Sequence, residues 1–161
     1  MTAPISFVQY PQYGRNYCQF NNDRVNYFVK QKELALPYLS DVLSRSSSEP
    51  QVLESLYIVD KLIDSGVKGI EKMYPAFARF NCSRSPYVQS LLSGIYRKLL
   101  IPDAFGPLCA MLLRNSFARK PLANFDPNEE VGGAILQYVT KFNQKAWKNK
   151  IQFYKNACFV A

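Results

Sequence analysis

The sequence predicts an all-α fold built as a stack of helical hairpins, and three observations carry that reading. Apolar residues recur at helical spacing in segments punctuated by proline and glycine. Two of those segments superimpose at a shift of 36 residues, a period that marks stacked two-helix units. A proline-bearing apolar segment accompanies each of them as a partner helix.

The segment from Pro50 to Gly66 is the clearest element. Val52, Leu56, Val59 and Ile63 lie on one helical face. Ser48 is placed to cap it, Glu49 and Pro50 suit a first turn, and Gly66 is a natural stop. A second helix repeats the plan: Pro86 stands just inside its start, Val88, Leu92, Ile95 and Leu99 form its stripe, and Pro102 ends it. At the 36-residue shift Pro50 falls on Pro86, Val52 on Val88, Leu56 on Leu92 and Val59 on Ile95. Lys61 falls on Arg97 and Ile63 on Leu99. Units of this kind bury their faces against their neighbours.

The partner helices follow. Leu36-Pro37-Tyr38-Leu39 continues through Val42 and Leu43, and Gly106-Pro107-Leu108 through Met111 and Leu112. Between them Tyr74-Pro75-Ala76-Phe77 continues through Phe80, in a segment that already contains Val67, Ile70 and Met73. Pro75 lacks an N–H and crowds the preceding turn, so it must kink or divide that helix. A third unit reads from Asp126 as cap and Pro127 as first turn, with Val131, Ile135, Val139 and Phe142 on one face.

With these residues in place the chain resembles the HEAT repeat, over roughly Glu33 to Phe142. The resemblance implies a short right-handed solenoid of about three HEAT-like hairpins. The chain departs from the family in three ways. Leu53, Gln89 and Gly132 stand where an Arg is frequent just after the first valine of the second helix. The connection from Asn115 to Asp126 is long, and the pair Gly132-Gly133 weakens the last helix.

The ends are atypical, as capping units are. Residues 1–22 form an aromatic arm, with Phe7, Tyr10, Tyr13, Tyr17 and Phe20 interrupted by Pro11 and Gly14. The arm either packs on the stack or serves as a short binding motif; packing is the expectation, because exposed aromatics cost solubility. Residues 23–161 form a single helical-repeat domain. From Gln144 onward Trp147, Ile151, Tyr154 and Cys158 make an amphipathic helix expected to close its core.

Composition bounds the function. No apolar run approaches the roughly 20 residues that span a bilayer, and Met1–Tyr10 lacks a basic region followed by an apolar one, so a cytoplasmic, membrane-free protein is expected. Cys18, Cys82, Cys109 and Cys158 are scattered without a C-x-x-C pair and histidine is absent, which argues against a metal site, a cofactor or disulfides. Cys109 and Cys158 read as small buried hydrophobes. The lack of histidine removes the commonest general base and the Ser-His and Cys-His nucleophile pairs. Phosphate-cradling glycine motifs and the nucleophile elbow are also missing. The expectation is a protein without enzymatic activity.

Two surfaces are candidates for binding. Second helices line the inner face of a hairpin stack. On a helical wheel Glu54 and Lys61 lie opposite the Val52–Ile63 stripe, Ser90 and Arg97 take the same places one repeat on, and Tyr57 and Ser93 flank them. These six residues form a ladder suited to a peptide or a partner helix; as a plain alternative, every surface helix has a solvated side. The second candidate is basic. The net charge is +8, from 20 Lys and Arg against 12 Asp and Glu. Lys141, Lys145, Lys148 and Lys155 fall on one face of a continuous C-terminal helix, and Lys68, Lys72 and Arg79 on the polar side of the proline-containing one. Such stripes contact phosphates, anionic lipid heads or acidic proteins, or are simply solvated. The expected function is a protein–protein interaction adaptor using its inner face; the alternative is nucleic-acid binding through the basic stripes.

Overall fold

The computed structural model describes residues 7–9, 19–117, 126–142, 148–149, 151–153 and 155. The protein is all-α apart from one short strand pair, and it divides into two compact units, Met1–Phe80 and Asn81–Ala161.

The first unit opens with β1 (Phe7–Gln9) antiparallel to β2 (Gln19–Phe20), Phe7 opposite Phe20. Helix α1 (Asn22–Gln31) follows, a helix that the apolar periodicity does not announce. Its start is set by Asn21, whose side chain accepts the Arg24 N–H at 2.9 Å, and by Asp23 in the first turn. Only Val25 and Phe28 of this helix are buried, too few to give a stripe. Lys32 ends it at φ 51°, a conformation that costs a residue with a side chain. A 3-10 turn then runs into α2 (Leu36–Arg45), with Pro37 in the first turn, where its missing N–H costs nothing.

Helix α3 (Glu49–Asp64) starts after Ser48 with Pro50 in its first turn, as expected, and the chain leaves it through Gly66 at φ 81°. Pro75 divides the next segment. A 3-10 turn (Ile70–Met73) gives way to α4 (Tyr74–Ala78), and Val67, Ile70, Met73 and Phe77 are all buried. Helix α2 packs on both α3 and α4, and α1 packs on α3. Arg79, just past α4, donates from Nη1 to the carbonyl of Leu43 near the end of α2 and to that of Ser46 at 3.4 Å. The end of α4 is thereby tied to the end of α2.

The second unit contains α5 (Pro86–Leu99), α6 (Phe105–Ser116) and α7 (Asn128–Lys141). The Ser85 hydroxyl accepts the Val88 N–H at 3.4 Å, and Leu100 closes α5 in the left-handed region at φ 53°. Asp126 receives the Asn128 N–H at 2.9 Å, and α7 begins at Asn128 with Pro127 in the cap position, one residue later than the capping pattern placed it. Helix α7 packs on both α5 and α6. Asn115, near the end of α6, donates to Gln89 in the first turns of α5 at 2.6 Å and to Asn128 at the start of α7 at 2.9 Å. At the other end the Tyr138 hydroxyl donates to the carbonyl of Ile101, just past α5, and its ring lies 5.5 Å from that of Phe105. Helices α5 and α7 are thus parallel, and α6 runs against both.

The buried faces are wider than the periodicity gives. In α3 Leu53, Ile58 and Leu62 join Val52, Leu56 and Val59, while Ile63 is only half-buried. In α7 the core face is Val131, Ala134, Ile135 and Tyr138; Val139 and Phe142, assigned to it from the sequence, lie at its edge. A helix covered on two sides hides far more than a single stripe. The expected C-terminal helix falls largely outside the described residues: Lys148, Asn149, Ile151–Phe153 and Lys155 are helical, and Trp147, Tyr154 and Cys158 are not among those described. Tyr10, Tyr13 and Tyr17 of the arm also lie outside them.

Candidate binding surfaces

Two residues of the expected ladder are not on an open face. Glu54 is completely buried, and its Oε1 accepts from Arg24 Nε of α1 at 2.7 Å. The helical wheel places Glu54 opposite the apolar stripe, and α1 covers that side of α3, so its polar residue meets a guanidinium instead of water. Ser93 is also buried, its hydroxyl 3.8 Å from the sulfur of Met111. Small size and a soft acceptor let it sit in the core.

The other four positions reach solvent to different degrees. Tyr57 and Lys61 are half-buried on α3, with Lys61 Nζ 5.1 Å from the centre of the Tyr57 ring. Ser90 is half-buried and Arg97 exposed on α5. In the first unit the structure brings together Tyr57 and Lys61, together with a residue the ladder did not include. Phe20 stacks on Tyr57, with ring centroids 4.5 Å apart and an interplanar angle of 26°. Strand β1 also lies against α3. The end of the aromatic arm thus packs on this face of α3, through an offset stack between electron-rich rings.

The basic stripes are broken up. Lys68 sits in the loop ahead of Gly69, whose φ of 84° redirects the chain, and Lys72 lies in the 3-10 turn. Both are exposed, but Arg79 is engaged on the carbonyls that end α2, with its guanidinium carbon 5.2 Å from the Phe80 ring. Pro75 dissolves the single helix that the stripe needed. At the C-terminus α7 ends at Lys141 because Phe142 is extended (φ −101°, ψ −178°). Lys141 therefore shares no continuous helix with Lys148 and Lys155, although all three are exposed. Lys145 lies outside the described residues.

One apolar feature escaped the sequence. Tyr27, Phe28, Gln31, Leu34, Ala35 and Tyr38 line a groove of about 190 Å³ between α1 and α2. Phe28 and Tyr38 stack at 5.3 Å, and Leu34 is 80% exposed. The signal was the run Leu34-Ala35-Leu36, which offers one more large apolar residue than a single buried face uses.

Among the described residues Cys82 is an exposed and Cys109 a buried free thiol, no three His, Cys, Asp or Glu side chains gather to hold a metal ion, and no helix is long and apolar enough to cross a membrane. Compared with family models, curated proteins and solved structures, the chain finds no match.

Proposed function

We propose that the chain is an interaction adaptor, a binder and not a catalyst, which takes an extended segment of a partner protein on the Tyr57–Lys61 face of α3. The observation that carries this reading is the stack of Phe20 on Tyr57 at 4.5 Å. This face accepts an aromatic side chain at the end of an extended strand, the chemistry of peptide recognition in general. Lys61, 5.1 Å from the same ring, favours an acidic neighbour in the incoming segment.

The architecture we infer beneath it is a right-handed HEAT-like solenoid. Two observations support stacked hairpins. The first helices α2 and α4 pack on each other, and the second helices α5 and α7 run parallel, which is how successive hairpins stack. The Arg79-to-Leu43 hydrogen bond also spans 36 residues, the period of the sequence repeat.

A displayed library of random peptides, panned on the full chain, tests the adaptor reading. Selected peptides should carry an aromatic residue and bind less well to the Tyr57→Ala variant. Phe20→Ala should tighten the same peptides by removing the resident ring. With an aromatic pair worth about 0.5–1.5 kcal/mol, each change is about two- to twelvefold. Peptides indifferent to both substitutions would refute the placement of the site on α3.

A further inference from the structure

Nearly all of the net charge belongs to the second unit. It holds eleven Lys and Arg against four Asp and Glu, a net +7, whereas the first unit holds nine against eight, a net +1. The first unit also uses its cations internally: Arg24 pairs with Glu54, Arg45 with Asp41, and Arg79 caps α2. In the second unit Arg114 likewise donates to the carbonyl of Asn81 at 2.8 Å. Arg97 and Lys141 are exposed, and neither side chain makes an ion pair or hydrogen bond among the described residues.

The fold places three of these cations at one end of the unit. Because α5 and α7 are parallel neighbours, Arg97 and Lys98 in the last turn of one emerge at the same end as Lys141 in the last turn of the other. Packed helices have axes about 8–10 Å apart, so the two cation-bearing helix ends adjoin. Asp103 is the acid at that end. Asp126, Glu129 and Glu130 sit around the start of α7, at the opposite end, with Arg84 and Arg114. Compensation of helix dipoles accounts for one cation at each helix end; α5 carries two in its last turn.

We infer that this end of the second unit binds the phosphodiester backbone of a nucleic acid, a role separate from the peptide face proposed for α3. An anionic bilayer would ask for apolar anchors beside the cations. Here the apolar neighbours of Lys98 and Lys141, namely Leu99, Leu100 and Phe142, are half-buried, and none stands among the exposed large apolar side chains that could serve as anchors. A nucleic acid needs only closely placed cations facing its dense row of phosphates.

Fluorescence anisotropy on the full chain tests the inference. The probes are labelled RNA and DNA single strands of about 16 nucleotides and a DNA duplex, with phosphatidylserine vesicles and an oligoglutamate peptide as competing anions. Arg97→Glu with Lys141→Glu is the test pair, and Lys68→Glu with Lys72→Glu, equally exposed in the first unit, is the control. All four positions are exposed, so the fold should survive, as circular dichroism will verify. We expect tight binding at low salt with little sequence preference and at least tenfold weakening in the test pair. The slope of log K against log salt should flatten by about 1.4 on single strands, or about 0.7 for each phosphate no longer neutralised. Retained affinity in the test pair, equal loss in the control, or stronger binding to vesicles or oligoglutamate than to either nucleic acid would overturn it.

Discussion

Glu54→Ala tests how α1 is held to the first unit. The carboxylate is completely buried and meets Arg24 at 2.7 Å, and the arginine side chain is itself only 12% exposed. Truncating Glu54 leaves a largely desolvated guanidinium without this acceptor, and such one-sided losses cost about 3–5 kcal/mol. At a urea m-value of about 2 kcal/mol per molar, the midpoint of the first unit's transition should fall by about 1.5–2.5 M. Arg24→Ala should cost a comparable amount, because it takes a cation from beside a buried carboxylate. The double replacement Arg24→Met with Glu54→Leu should recover most of the loss, since apolar pairs of similar volume are often neutral or better. High salt should leave the single-mutant cost unchanged, as a buried pair is screened weakly. A loss of about 1 kcal/mol or less would put the pair among exposed salt bridges and refute the reasoning.

Three further predictions rest on packing and backbone. Leu56→Ala and Leu92→Ala, both at completely buried positions, should each cost about 2–5 kcal/mol in chemical denaturation; values in the surface range would put these stripes on the wrong face. Gly132→Ala and Gly133→Ala should each stabilise α7 by about 0.5–1 kcal/mol, because a Cβ at either site meets nothing within 4 Å; a fall in melting temperature would contradict this. Gly66→Ala should lower stability instead, since its φ of 81° strains any side chain, and an unchanged unfolding midpoint would count against that turn.

The helices legible in the sequence are those whose ends carry chemistry and whose faces carry periodicity. Ser48 with Pro50, Pro86 alone, and Asp126 with Pro127 mark the starts of α3, α5 and α7, and the structure begins those helices within two residues of each mark. Helix α1 was invisible because two buried residues make no stripe and an ion pair does the rest. The candidate site was less legible. A helical wheel assumes one neighbour, so it turned Glu54 and Ser93 outward; α3 has both α1 and α2 against it. The arm was expected to pack, and the stack of Phe20 on Tyr57 fixes where its last aromatic residue does so. Sequence alone held no pairing signal for those two residues, which are 37 positions apart.

The two repeats also show why a sequence period does not transfer function from one unit to the next. At the 36-residue shift Glu54 matches Ser90, Tyr57 matches Ser93 and Lys61 matches Arg97. The apolar positions keep their burial, because Leu56 with Leu92 and Val59 with Ile95 face a core in both units. The polar positions do not. Glu54 is buried where Ser90 is half-exposed, and Tyr57 is half-exposed where Ser93 is buried. Lys61 leans on an aromatic ring where Arg97 stands exposed. Apolar periodicity is constrained by burial along the whole helix, whereas each polar residue answers to the neighbour it happens to meet. One pattern of apolar positions thus accompanies an aromatic face in the first unit and a basic end in the second. The substitutions that separate these surfaces, Tyr57→Ala on one side and Arg97→Glu with Lys141→Glu on the other, should therefore act independently. Additive effects of combining them, within about 0.5 kcal/mol, are the expected result for sites that share no partner.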